Sequence, residues 1–448
     1  MRKKTMLILI ACLLYTIADA QNRAWTFQQC LDTAIRRNIS LNQSRLNDNL
    51  NQIALAQSKA SIFPYVSASA RDGVGFGNSL SPATNQYVEK TTNSSTFGLS
   101  TGVTLFNGLQ ITRTIMQNKM ILDAGRTDID NVKNQVTLNI TTAYLQVLFA
   151  YEVLATAKSQ ANATAVQVDQ TQKMVNAGKY AESNLLTIKA QQATDNLAVV
   201  NAQSTLDLAK VTLEQLMELP VMDSFEVKIP DFVEPSLLIN QTNQQIYAKA
   251  LTVQPQIAGA AIRSNSALLG IKISEGARYP TISLSGGANS NYSVSSRTGV
   301  SDAVPKASPF FPQLWNNLGE SIGLSLSIPI YSNRQIKSNI ERAKVNLLIT
   351  QLNEQEIKVQ LRKTIEQSYI DLKNSINKYE ATKDQIASAE LAYNNMEQKY
   401  KVGMATAIDY LIQKNAYYLS KSNGIQAKYD YIFKSKILDF YQGKPITF

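Results

Sequence analysis

Twice in this chain a long polar stretch with helical periodicity runs into an aromatic residue and a proline, then switches to strict alternation of apolar and small polar residues. "ASIFPYVSASA" does so at Ala60–Ala70, and "GARYPTISLSG" repeats the change at Gly276–Gly286, 216 positions later. Self-similarity at a fixed offset means that the fold is built from two copies of one unit. The same offset sets "AIRRNISL" at Ala34 on "ALTVQPQI" at Ala250. Beyond the alternating segments it becomes 225: "FGLSTGVTLFN" from Phe97 falls on "IGLSLSIPIYS" from Ile322, Tyr144 on Tyr369, Gly178 on Gly403 and Pro220 on Pro445. The nine extra residues of the second copy lie between Gly286 and Ile322, where a loop absorbs them.

Between Gly108 and Asn176, and again between Asn333 and Lys401, there is no proline and, apart from Gly108 and Gly125, no glycine. Ile140, Val147, Leu154, Ala161, Val168 and Val175 recur every seven residues, as do Ile365, Leu372, Tyr379, Ile386, Tyr393 and Tyr400. That spacing predicts a narrow apolar seam facing a neighbouring helix, as in a coiled coil. Each stretch would be about 100 Å long at the helical rise, too long for a compact domain. Gly178 and Gly403 suit left-handed residues that end these helices. Second helices follow, over Ser183–Leu216 and Thr406–Leu438, so each pair makes an antiparallel hairpin. Further helices are expected over Thr26–Ile62 and Thr242–Arg278, stopped by Pro64 and Pro280.

The alternating segments predict two strands per copy, at about 64–76 and 96–106, then about 280–292 and 321–331. About ten residues is the length of a tilted strand that crosses a bilayer. The connecting loops "GNSLSPATNQYVEKTTNSS" and "SVSSRTGVSDAVPKASPFFPQLWNNLGE" are long, polar and rich in turn residues, like the external loops of outer-membrane barrels. A soluble sandwich set between helices would show the same alternation. Four strands cannot close a barrel, and an open edge cannot face lipid because its backbone groups would be unpaired. Strands that span a membrane here must therefore be completed by other chains: eight from two copies, twelve from three, sixteen from four.

The chain opens "MRKKTMLILIACLLYTIADAQ", a basic start, a short apolar run and a small-residue site, which reads as a signal peptide over 1–20. "LIAC" at Cys12 also resembles a lipoprotein signal. Cleavage after Ala20 leaves Cys30 as the single cysteine, unable to form an internal disulfide and read as a small buried residue. The chain has no histidine, which removes the usual general base and excludes a Ser-His-Asp triad. Losing Arg2, Lys3, Lys4 and Asp19 with the signal takes the formal charge from +10 to +8. The basic residues are scattered among acids, without the clustered patch of a nucleic-acid binder. The mature chain divides into a first repeat at 21–220, a connector at 221–241 with short alternation at Phe225, Val227 and Ile229, and a second repeat at 242–448.

In order and spacing, "WTFQQCLDTAIRRNISL", the elements at Pro64 and Pro280, "GVTLFNGLQ", "LSIPIYSNR" and "KVGMATAIDYLIQKNAYYLSKS" resemble the TolC-like outer membrane efflux protein family, over essentially the whole mature chain. The resemblance implies a mainly α fold with a membrane β-barrel. Two structural repeats would supply a long coiled-coil tunnel and two two-stranded barrel segments per protomer, with one twelve-stranded barrel shared in a homotrimer. It also implies a passive exit duct in the outer membrane of a Gram-negative bacterium, with the helical part crossing the periplasm. Its partners would be outer-membrane lipid, a periplasmic adaptor and an inner-membrane pump, with no nucleic acid, cofactor or catalysis. Consistently, no Walker-type glycine loop occurs. A coiled-coil scaffold or adhesin without a channel is the alternative.

By position, Asp409 matches an acidic gate residue of the family. Tyr400 matches a tyrosine that ties the closed tip, and Asn184 stands in place of its usual acidic partner. Ile412 and Ala405 stand where some members carry an acid and an arginine, so the gate is expected to have few ionic restraints. Gly178, Ser183, Gly403 and Thr406 mark the hairpin tips and the adaptor contact. Each also has a purely structural reading: a capping box for Thr406 and Asp409, seam packing for Tyr400, helix termination for the glycines.

Overall fold

The computed structural model describes residues 24–80, 85–221, 225–230, 241–297 and 309–448. The signal peptide, Cys12 and much of the connector lie outside the described residues. The chain divides into two compact units, one of Met1–Leu46, Arg126–Gly259 and Gln355–Phe448, the other of Asn47–Gly125 and Ala260–Glu354.

Each repeat begins with a pair of helices: α1 (Phe27–Arg37) and α2 (Ile39–Ala60) in the first, α5 (Asn243–Val253) and α6 (Pro255–Gly276) in the second. The sequence predicts one helix in each place. Pro255 has no N–H to continue the ladder and pushes Gln254 into extended backbone, φ −79° and ψ 122°. Asn38, at the matching site of the first copy, breaks the helix without a proline and restarts it by accepting a hydrogen bond from the Leu41 N–H at 3.0 Å. Thr26 and Thr242 open α1 and α5 with matching capping boxes, closed by Gln29 and Gln245.

The long helices are α3 (Gln110–Asn176) and α8 (Gln335–Lys401), 67 residues each. Their return partners, α4 (Glu182–Leu216) and α9 (Ala407–Tyr441), have 35 residues each. Ile140, Val147 and Leu154 of one seam, and Ile365, Leu372 and Tyr379 of the other, are buried. Across the second hairpin the seam is a series of stacked rings: Tyr379 on Tyr431 at 5.6 Å, Tyr393 on Tyr417 at 5.4 Å and Tyr400 on Tyr410 at 5.1 Å. At the equivalent places the first hairpin has no ring: Leu154 and Leu206, Val168 and Gln192, and Val175 and Leu185. Cys30 is fully buried in that core, and burial pushes its thiol up to about 12. Tyr144 anchors the connector there by donating its hydroxyl to the Lys228 carbonyl at 2.7 Å.

The other unit carries one antiparallel sheet in the order β1 (Tyr65–Leu80), β2 (Tyr87–Asn107), β3 (Thr281–Arg297), β4 (Gly319–Ser327). Pro64 and Pro280 are the last residues before β1 and β3. The first three strands run longer than the alternation suggests, and β1 and β2 pair through residues that composition reads as loop. Backbone pairing does not require alternation where neither face is covered. The fourth strand stops short of Pro329, which cannot donate to the ladder. The second loop also contains a short helix, α7 (Phe310–Asn316), that alternation gives no sign of.

The register lines up Val66, Thr101, Gly286 and Ile322, then Ala68, Leu99, Ala288 and Glu320, then Ala70, Phe97 and Ser290 on one face. The opposite face carries Ser67, Ser100, Gly287 and Ser321, followed by Ser69, Gly98, Asn289 and Gly319. One face is thus largely apolar and the other small and polar. Each strand-to-helix corner uses two successive left-handed residues, Gly108 and Leu109 in one copy and Asn333 and Arg334 in the other. At Gly108 a side chain would sit 2.2 Å from the Gly276 carbonyl oxygen, so only glycine fits.

Candidate functional site: the helical hairpin tips

At both tips the long helix ends the same way. Gly178 (φ 71°) and Gly403 (φ 79°) are left-handed. Gly178 and Lys179 donate to the carbonyls of Val175 and Met174, both at 2.9 Å, while Gly403 and Met404 donate to those of Tyr400 and Lys399 at 3.0 and 2.8 Å. This is the Schellman arrangement, which satisfies carbonyls that the helix end would leave bare. No atom approaches within 4 Å of where a side chain on either glycine would begin, so both tips present open backbone.

The tips differ in how the return helix starts. Thr406 Oγ1 accepts the Asp409 N–H at 3.1 Å, and the Asp409 carboxylate accepts the Thr406 hydroxyl at 2.7 Å and its N–H at 3.3 Å. These bonds hold the exposed Asp409 carboxyl below the usual range. A depressed folded value means that the cap's contribution is full above the unfolded value and is lost as pH falls through the folded one. Alanine at 409 is therefore expected to loosen the first turn of α9 at neutral pH, with the difference from wild type vanishing on acidification below the usual carboxylate range. Amide exchange at 407–411 measures this. In the first copy the matching positions are Ala181 and Asn184, and α4 starts without a side-chain cap. Asn184 is half-buried and donates its backbone N–H to the Ala181 carbonyl at 3.0 Å; Ser183 is exposed.

Tyr400 is buried and joins the two hairpins, but through other residues than Asn184. Its hydroxyl lies 3.3 Å from Thr171 Oγ1 on α3, and its carbonyl accepts the Tyr180 hydroxyl at 2.5 Å. Ile188, Ala407, Tyr410 and Leu411 complete the cluster, with Ala405 packed against it.

An ionic tie lies further along the hairpins, between residues that sequence reasoning does not single out. Lys414 of α9 is 0% exposed and Asp195 of α4 is 2% exposed, with Nζ and Oδ2 3.1 Å apart. Thr164 of α3 bonds to both of them. Gln160 and Gln191 each donate to Asp195 Oδ1 at 2.8 Å, and the Gln160 carbonyl accepts from Lys414 at 3.4 Å. Burial draws the Lys414 ammonium below the usual lysine range, against the opposing pull of Asp195. The partners are 219 residues apart in sequence, so no local pattern announces the pair. Glu152 makes a second, more exposed link between α3 and α9, accepting from Lys428 Nζ at 3.1 Å and the Tyr429 hydroxyl at 2.8 Å.

The two hairpins are therefore joined near their tips by the Tyr400 cluster and further along by one dry ion pair. Comparison with known proteins agrees with this reading of the fold. The outer membrane protein VceC of Vibrio cholerae superposes with a TM-score of 0.76 at 15% identity, covering 94% of this chain and 97% of that one. The Campylobacter jejuni CmeC outer membrane channel gives 0.76 at 17% identity, covering 94% and 86%. In sequence, outer membrane efflux protein BepC of Brucella suis is 24% identical over 416 residues, 92% of this chain and 84% of that protein. Outer membrane protein TolC of Escherichia coli is 27% identical over 322 residues, 69% of this chain and 62% of TolC. Residues 30–218 and 246–443 match the outer membrane efflux protein family, one segment for each repeat. The chain is a member of that family, whose proteins serve efflux at the outer membrane.

Proposed function

We propose that three copies of this chain form an outer-membrane channel-tunnel, the passive exit duct of a tripartite efflux or type I secretion system. The observation that carries this reading is the sheet. It has four strands, an apolar face, a polar face, and in β1 and β4 two edges without a partner strand among the described residues. Such edges are tolerated in lipid only when sister strands pair with them, and three copies give twelve strands. The apolar face then meets the bilayer and the serine, glycine and asparagine face lines the lumen. Exposed apolar residues on α4 (Leu186, Leu197, Val200, Leu208) and α8 (Leu348, Leu352, Val359) supply surface for neighbouring protomers.

In this reading the helical hairpins cross the periplasm and their tips form the gate. Gly178, Ser183, Gly403 and Thr406 offer the adaptor its contact, and an inner-membrane pump supplies the energy. Asp409, repeated around the threefold axis, sets a ring of carboxylates at the entrance.

Purified mature chain in a planar bilayer should give discrete conductance steps; a coiled-coil scaffold or adhesin gives none. Alanine at 409 should weaken block by multivalent cations applied from the tip side, and unchanged block would take Asp409 out of the ring.

A further inference from the structure

The short helix α7 lies at the edge of β3, in the stretch that β4 does not reach. Pairing between β3 and β4 ends at Asn289 and Gly319, so among the described residues the next backbone groups of β3 face no strand on that side. Two side chains of α7 and its C-cap take that place. Gln313 accepts the Ser293 N–H at 2.5 Å and donates to the Ser293 carbonyl at 3.3 Å, and Asn317 donates to the Asn291 carbonyl at 2.6 Å. Ser290 donates its hydroxyl to the Leu314 carbonyl at 2.5 Å. Four residues apart, Gln313 and Asn317 share one side of the helix.

This attachment brings α7 onto the apolar face. Phe310 packs edge-on against Tyr292 at 4.9 Å and Phe97 at 6.2 Å. Phe311 and Trp315, also four apart, point away from the sheet and are each 79% exposed. The helix itself, FFPQLWN, contains no charged residue. Two bare aromatic rings in aqueous solvent gain nothing, whereas at a lipid surface their apolar bodies and the indole N–H are both accommodated.

The height of α7 on the sheet fits that surface. Ser290 is nine residues beyond Thr281, where β3 leaves its helix. That is about 30 Å along the strand, or about 20–25 Å along the axis of a barrel tilted about 35–45°. An outer-membrane barrel carries an apolar band about 25 Å tall with aromatic residues at its rim. At the same level this face of the sheet becomes mixed: beyond Ala70 and Phe97 come Asp72 and Ser95, bonded to each other at 2.6 Å, in one row with Tyr292, then Val74 opposite Asn93 and Phe76 opposite Thr91.

We propose that α7 is an interfacial anchor, held on the outside of the barrel at its far rim, with Phe311 and Trp315 inserted at the boundary between lipid headgroups and acyl chains. The inference rests on the reading of the apolar face as the lipid-facing side. It adds that the external loop sends an element back to grip the bilayer, extending the aromatic rim where β4 is too short to supply one.

The chain has two tryptophans, so Trp25→Phe leaves Trp315 as the only indole. That variant, reconstituted into phosphatidylcholine vesicles with bromine at defined acyl positions, tests the proposal. The expected result is loss of most Trp315 emission with bromines near the ester end, weaker quenching with bromines near the methyl end, and little quenching by aqueous iodide. Insertion of interfacial helices is about 5–10 Å deep. Adding Gln313→Ala and Asn317→Ala should release α7 and reverse the preference towards iodide.

A Trp315 open to iodide and untouched by brominated lipid overturns the proposal, and so does protection from both quenchers, which would mean a protein contact. A second reporter, Ile322→Trp in a Trp25→Phe, Trp315→Phe background, tells the two readings apart. Quenching of that residue without quenching of Trp315 rejects the anchor alone; no quenching of either rejects the barrel.

Discussion

Alanine in place of Asp195 is expected to destabilise the joint between the hairpins by about 3–5 kcal/mol, the cost of leaving one member of a buried pair without its counter-charge. Lys414 is fully buried and its other ligands, Thr164 and the Gln160 carbonyl, are neutral, so neither can replace the lost counter-charge. Amide exchange over 160–195 and 407–420 should rise sharply while the sheet is unaffected. In bilayers the variant should spend more time at high conductance. Replacing both partners together, by Lys414→Met with Asp195→Leu, should recover most of the stability, since apolar replacement of a whole buried pair is often neutral or better. Exchange in Asp195→Ala equal to wild type would mean that the pair bears no load.

Arginine in place of Ile322 should prevent assembly in the membrane. The residue stands on the apolar face of β4, five residues from the strand's end at Ser327. That places it about 12–14 Å up a tilted barrel, near the middle of the apolar band. Arginine at such a depth costs about 2–4 kcal/mol per subunit, and a trimer repeats the cost in each copy. The neighbouring Ser321→Arg, on the polar face, should assemble normally and change conductance instead. Heat-modifiable mobility and outer-membrane fractionation read the first effect and single-channel recording the second. Equal assembly of the two variants would contradict the assignment of faces.

The long helices were legible because apolar residues held to a seven-residue spacing through six repeats fit only a helix packed along one seam, and the duplication supplied each feature twice. The single helix expected over Thr242–Arg278 passes over Pro255, whose missing N–H is a local helix-breaking signal, whereas Asn38 acts by a side-chain bond that many asparagines could make and few do. Residues 87–95 looked like loop because serine, threonine and asparagine carry no strand signal where both faces are open. The same blindness hid α7, whose turn-rich surroundings argue against a helix, although its proline stands in the first turn where one is tolerated. At the tips, sequence placed Asp409 in a capping box with Thr406, and the structure has that box. It could not place Tyr400 beside Thr171 and Tyr180, nor Lys414 beside Asp195. Those contacts depend on how two hairpins are set against each other, and nothing local encodes that register.

The tyrosine stacks of the second hairpin would give the wall of the proposed tube unequal staves. Planar rings stacked across α8 and α9 would resist shear between those helices, and the smaller, mostly aliphatic side chains at the matching places of α3 and α4 would let their helices slide more readily. A cylinder assembled from alternating stiff and compliant ribs does not dilate evenly: the stiff pairs swing as rigid levers while the compliant ones bend to follow. Divergence after duplication would in this way equip a symmetric pipe to open by an iris motion, with the moving parts chosen by which copy kept its aromatic rungs.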